Sequence, residues 1–173
     1  KKNLISRSRC LFKLMRRSNS MKNIKALLLA VLIFSIGNVV AKEHNVKMLN
    51  GKAPDIFVFE PAVINIKKGD TVTWTGDAMH NSASIKEMLP KNAKPWMGKL
   101  TKKAGEKSIS VKFDTEGLYG YNCTPHAMFG MVGLVVVGDP SSNLKDAKAA
   151  AIKLEGKFAA GKGRFSKYLS EIK

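Results

Sequence analysis

Along most of this chain apolar and polar residues alternate in short runs, the period of half-buried strands rather than of helices. Val46 and Met48 alternate with polar neighbours until Asn50-Gly51-Lys52-Ala53-Pro54 interrupts them. Phe57-Val58-Phe59 and Ala62 to Ile66 follow as further runs, and Lys68-Gly69-Asp70 predicts a turn. Thr71 to Thr75 is rich in β-branched and aromatic residues, with Val72 and Trp74 on one face. Ile109, Val111 and Phe113 mark another strand, and Tyr119, Tyr121 and Cys123 share a face of the next. The two tyrosines are read as core packing and a tyrosine corner. Val132 to Val137 has few polar breaks, as a buried central strand does. Between Ser84 and Lys107 the alternation weakens. Pro90, Pro95, Gly98 and Gly105 punctuate it, Ile85 to Leu89 predicts one helical turn, and Trp96 is expected to plug the core.

Past Gly138-Asp139-Pro140 the period changes. Leu144, Ala147, Ala151 and Leu154 recur at helical spacing behind Asn143, a suitable cap, with Asp146 in the first turn. Gly156 and the Gly161/Gly163 pair interrupt that helix, and Phe165 to Ile172 can form a second. The pattern predicts a mainly β, two-sheet Greek-key sandwich over 42–140. A helical extension over 141–173 is expected to pack on it without chemistry of its own.

The first forty residues read differently. Met21-Lys22-Asn23-Ile24-Lys25 is a short positive segment, Ala26 to Ile36 is apolar, and Val39-Val40-Ala41 offers small residues for cleavage. Residues 21–41 therefore read as a signal peptide, and 1–20, with Cys10, as an extension without a fold of its own. This changes the charge picture. Nine of the 30 Lys and Arg residues fall within 1–41, where there is no acid, so the remainder carries 21 bases against 13 acids, a net +8. No aromatic-studded basic stripe appears, which argues against nucleic acid as a partner. Removal of residues 1–41 leaves Cys123 as the sole cysteine of an exported, periplasmic domain that is not membrane-bound. A lone thiol cannot form an internal disulfide in an oxidising compartment, and ligation to a metal gives it a use.

The residues around Cys123 fit that use. Cys123, His126 and Met131 place a thiolate, an imidazole and a thioether within nine residues, and His80 supplies a second imidazole upstream. That mixture suits copper, because imidazole is tolerable to Cu(II) and sulfur to Cu(I). Cys123, His80 and His126 would make a trigonal plane around one type 1 copper ion, with Met131 as the weak axial ligand. Met128 lies closer to His126 but at the wrong spacing. Asn81 and Thr124 are expected to tie the two ligand segments together, and Pro125 to restrict the loop crest. Ala127, Met128 and Pro125 would form an apolar surface around His126, Met79 would be core or rim, and His44 a solvated histidine. With only His44 left over, no second copper centre and no substrate-binding metal position can be built, so the chain is not expected to be an enzyme.

On these residues the chain resembles the pseudoazurins, periplasmic cupredoxins of the blue-copper class. The likeness runs through Val46-Lys-Met-Leu-Asn50, Val58-Phe-Glu-Pro61, Gly69-Asp-Thr-Val72, His80-Asn81, Ile85-Lys-Glu-Met-Leu-Pro90, Gly117-Leu-Tyr-Gly120, Cys123-Thr-Pro-His126, Gly130-Met-Val-Gly133 and Val137-Gly-Asp139. It implies an eight-stranded sandwich with two C-terminal helices, and copper on His80, Cys123, His126 and Met131. It also implies single-electron delivery to a denitrification enzyme such as nitrite reductase, with lysines around the exposed histidine meeting an acidic partner. Lys52, Lys94, Lys99, Lys102 and Lys103 are the lysines expected to provide that field. A cytochrome-type donor and a monomeric state are the corresponding expectations. The chain departs from the family pattern at Ala78 and Asn122, where lysines are common, and at Ala127, where an aromatic is usual. An amicyanin- or plastocyanin-like carrier for another redox chain, or a copper storage or chaperone protein, is the alternative reading.

Overall fold

The computed structural model describes residues 40–172; the expected signal peptide, except its last two residues, and the 1–20 extension lie outside that range. Eight strands form the body: β1 (Glu43–Lys52), β2 (Asp55–Glu60), β3 (Val63–Ile66), β4 (Thr71–Gly76), β5 (Ala83–Ser84), β6 (Glu106–Lys112), β7 (Gly117–Asn122) and β8 (Val132–Val137). They make two four-stranded sheets, in the orders β2-β1-β4-β6 and β3-β8-β7-β5. β1 lies parallel to β4 and β3 parallel to β8, while the remaining pairs are antiparallel. The mainly β sandwich expected from the alternation is the architecture observed.

The inner faces meet in an aromatic core. Trp74, Phe113 and Tyr121 are buried, with Trp74 edge-on to Tyr121 at 5.2 Å between ring centroids and stacked on Trp96 at 5.6 Å. Trp96 plugs the core from the long β5–β6 connection, and its indole N–H is satisfied by Ser82 Oγ at 3.0 Å. Tyr119 donates to the Thr115 carbonyl at 2.7 Å, closing a tyrosine corner.

A second core explains the unbroken apolar run of β8. Val135 and Val137 face the aromatic core, whereas Val132, Leu134 and Val136 face Ala147, Ala151, Phe165 and Leu169 of two helices. Those helices are α1 (Leu144–Glu155) and α2 (Arg164–Ser170). Both faces of β8 are therefore dry, and no polar residue is tolerated on it.

Two expectations need correction. Asn143 makes no side-chain cap on α1. Its amide instead accepts from Leu118 N–H at 2.9 Å and donates to Leu118 C=O at 2.8 Å. β5 pairs with β7 only at Tyr121 and Asn122, which leaves the Leu118 edge open, and a planar amide completes it. His44 is not solvated but bonded through Nε2 to Asp70 at 2.8 Å. The Asp70 carboxylate, 4% exposed, also accepts from the Lys42 and Lys67 amides. The Lys42 amide and then His44 hold its pKa well below the usual carboxylate range, at about 2.

Candidate metal centre

His80, Cys123 and His126 come together at one end of the sandwich, beyond the C-terminal ends of β4 and β7. His80 Nδ1 lies 3.6 Å from Cys123 Sγ, His126 Nδ1 lies 3.4 Å from the same sulfur, and the two Nδ1 atoms are 3.1 Å apart. The centre of such a triangle is roughly 2 Å from each corner, the length of a bond from sulfur or imidazole to a first-row metal. Met131 is fully buried beside Cys123, held by a bond from Cys123 N–H to its carbonyl at 3.0 Å and from its own N–H to His126 C=O at 3.2 Å.

The His80 side is set by hydrogen bonds. Asn50 Oδ1 lies 3.0 Å from His80 Nε2, and a carbonyl oxygen can only accept, so Nε2 carries the proton and Nδ1 presents its lone pair to the triangle. The backbone N–H of Asn50 in turn donates to Asp77 Oδ2 at 2.9 Å. Thr101, fully buried, accepts from His80 N–H through Oγ1 at 3.1 Å and donates its own N–H to His80 C=O at 2.9 Å. Asn81 joins three segments. Its Oδ1 accepts from Thr124 N–H and Oγ1 at 2.8 and 2.7 Å, and its Nδ2 donates to Gly98 C=O at 3.1 Å.

The His126 side is set by rings and loop geometry. Thr124 and Pro125 are exposed at the crest, His126 is half-buried, and Ala127–Phe129 form a 3-10 turn closed by Gly130 in the left-handed region, φ 73°. Phe57 stacks on the His126 ring at 3.9 Å with 15° between planes. Its own φ of 53° breaks the strand alternation, and the half-buried ring packs against both the edge of the core and His126. The aromatic cover that Ala127 lacks is thus supplied by β2. Asn50 and Phe57 sit at the one gap in the β1–β2 ladder, between the Leu49–Val58 and Gly51–Ile56 pairs; Asn50 reaches His80, and Phe57 lies flat on His126 and edge-on to His80.

The electrostatics suit a cation. Burial lowers the pKa of both histidines, with His126 adding to the effect at His80. Burial pushes the Cys123 thiol up, opposed by the Asn81 and His126 amides aimed at the sulfur. Two neutral imidazoles therefore surround a thiol whose anion needs a neighbouring positive charge. A soft metal ion meets that need.

Asn50, Phe57 and Thr101 are absent from the residues proposed by motif. Asn50 lay in a segment read as a turn, Phe57 in a strand and Thr101 in a loop, and no local signal marks any of them. The lysines divide. Lys52 extends β1 at the ligand end, while Lys102 and Lys103 are exposed on the loop that bears Thr101. Lys99 is paired with Glu106 at 2.6 Å, which weakens its outward field. Lys94 lines a groove with Lys112, Phe113 and Asp114. Lys112 pairs with Thr71 at the end of β4 far from His80, about 17 Å from the strand's other end at the usual rise.

Comparison with known proteins agrees with the geometry. The family model described as copper binding proteins, plastocyanin/azurin family, matches residues 44–138. Pseudoazurin from Methylorubrum extorquens is 42% identical over 127 residues, which are 73% of this chain and 82% of that protein. Pseudoazurin from Paracoccus pantotrophus is 40% identical over 111 residues, 64% of this chain and 73% of that protein. The crystal structure of pseudoazurin from Methylobacterium extorquens superposes with a TM-score of 0.62 at 37% identity, covering 76% of this chain and 99% of that one.

Proposed function

The chain belongs to the plastocyanin/azurin family of copper-binding proteins, and on that premise we propose that His80, Cys123 and His126 would hold its copper, with the thioether of Met131 as the weakest donor. Copper bound there supplies a one-electron couple, Cu(I)/Cu(II), and the chain is an electron carrier rather than an enzyme. The protein's part is to keep the donors still. Asn50 and Thr101 fix His80, Asn81 ties the Cys123 loop to the His80 segment, and the closed aromatic core keeps water from the sulfur side. The observation that carries this reading is the donor triangle, with Asn50 dictating which nitrogen of His80 faces it.

The electron leaves through the half-buried His126 edge to an acidic-surfaced redox protein, nitrite reductase or a similar acceptor, after arriving from a cytochrome-type donor. Exposed Met128 and Phe129 beside His126 give a partner an apolar landing, and Lys52, Lys102 and Lys103 give it a positive rim. The carrier works as a periplasmic monomer after cleavage of residues 21–41. Burial of His80, Cys123 and Met131 argues against the storage or chaperone alternative, because delivery of metal requires exchangeable ligands.

The test is the visible spectrum of the domain loaded with Cu(II). An intense blue band, lost in Cys123→Ser and retained with a shifted potential in Met131→Leu, is expected. A colourless protein overturns the assignment. Reversible one-electron voltammetry with metal retained separates a carrier from a storage protein.

A further inference from the structure

We propose that Arg164, in the C-terminal helical tail, is a positioning residue of the metal centre: its guanidinium joins the loop that ends in Met131 to the strand that stacks on His126. This inference rests on the copper reading above. Arg164 Nη1 donates to Gly130 C=O at 3.1 Å and to Phe57 C=O at 2.9 Å, and Nη2 donates to Ile56 C=O at 2.9 Å. Its side chain is 11% exposed, with Asp55 3.6 Å away. Gly130 precedes Met131 directly, and Phe57 carries the ring on His126. One planar fork therefore bridges two segments that share no ladder.

The tail adds a second grip. Ala159 and Ala160 N–H both point to Met128 C=O, at 2.7 and 3.3 Å. Gly130 and Gly161 lie back to back: a Cβ on Gly161 would stand 2.7 Å from Phe129 C=O, and one on Gly130 2.9 Å from Gly161 C=O. The backbone from 128 to 130, which sets where Met131 enters, is thus clasped between Arg164 and residues 159–161. A lysine cannot replace the arginine. An ammonium is a single point on a flexible stem, whereas the guanidinium reaches three carbonyls in fixed directions.

The experiment compares wild type with Arg164→Lys, Arg164→Gln and Gly161→Ala, the last keeping the arginine but wedging tail from loop. In the copper-free protein, amide hydrogen exchange at Gly130 and Met131 should speed up about tenfold in all three, with exchange at Thr101 unchanged, because lost hydrogen bonds open only the segment they held. In the copper-loaded protein the reduction potential and the ratio of the sulfur-to-copper absorption bands should shift, and Arg164→Lys should not restore them. Where Arg164→Gln fails to fold, Arg164→Lys and Gly161→Ala decide. Unchanged exchange at Gly130 and Met131 in those variants, or faster exchange with an unmoved potential and band ratio, overturns the proposal. The exchange measurement needs no metal, and a colourless wild type would sink the copper reading alone.

Discussion

His80 is held by hydrogen bonds at its backbone and at its outer ring nitrogen, whereas His126 leans on a ring and a loop. The first is fully buried, its backbone paired twice with Thr101 and its ring oriented by Asn50. The second is half-buried under Phe57, on a loop whose last residues are clasped by the tail. The difference follows from what each region has to do. A buried imidazole can be fixed by polar groups because each has a partner and none competes with water. A surface imidazole that must admit a partner cannot be enclosed that way, so apolar contact and backbone geometry restrain it instead. Rigidity comes from the closed side and access from the open one.

The largest stability effect in this comparison should come from Thr101→Val. It keeps the shape but leaves the His80 N–H without its acceptor, at about 1–3 kcal/mol for a buried unsatisfied group. Denaturant titration of the copper-free protein measures it, and a neutral result would mean that His80 is not held from this loop. Phe57→Leu, which keeps most of the buried area but removes the ring, should cost less, about 0.5–1.5 kcal/mol, the worth of an aromatic pair, while moving the His126 ring resonances in NMR. Should it cost more than Thr101→Val, the contrast between the two regions reverses.

Asp70 offers a control at the other end of β4. Its folded pKa, about 2, lies below the usual 3.8, so its contribution is fully present above about pH 4 and fades as pH falls towards 2. Asp70→Asn should therefore remove part of the stability slope in that window while leaving the blue band untouched. A changed spectrum would show that the two ends are not independent. The smallest stability effect belongs to the pair Lys102→Gln and Lys103→Gln, within about 0.5 kcal/mol for exposed positions. Their association with an acidic partner should slow by a few-fold at low salt, and the difference should vanish at high ionic strength.

Much of this was legible in the residues alone, for a physical reason. Period-two alternation reports a buried face directly, so β4, β6 and β7 could be drawn from Val72/Trp74, Ile109/Val111 and Tyr119/Tyr121. The donors Cys123, His126 and Met131 were legible because one short loop carries all three, and loop length limits where they can point. Asn50, Phe57, Thr101 and Arg164 were not. Asn50 matters only because β1 runs parallel to β4 and overshoots it at the histidine end. Phe57 reads as a core strand residue until its backbone turns left-handed. Arg164 follows Gly130 by 34 positions, and nothing local ties them. Asn143 misled for a related reason: a residue fit to cap a helix was drawn to an unfilled strand edge nearby.

His126 is also the only one of the four donors with any contact with solvent. On the reading proposed above, His126 would be a single doorway for charge, used for arrival and departure alike. A donor seated there would bar an acceptor, so the two would take turns, and the traffic such a molecule carried would depend on how briefly each visitor stayed.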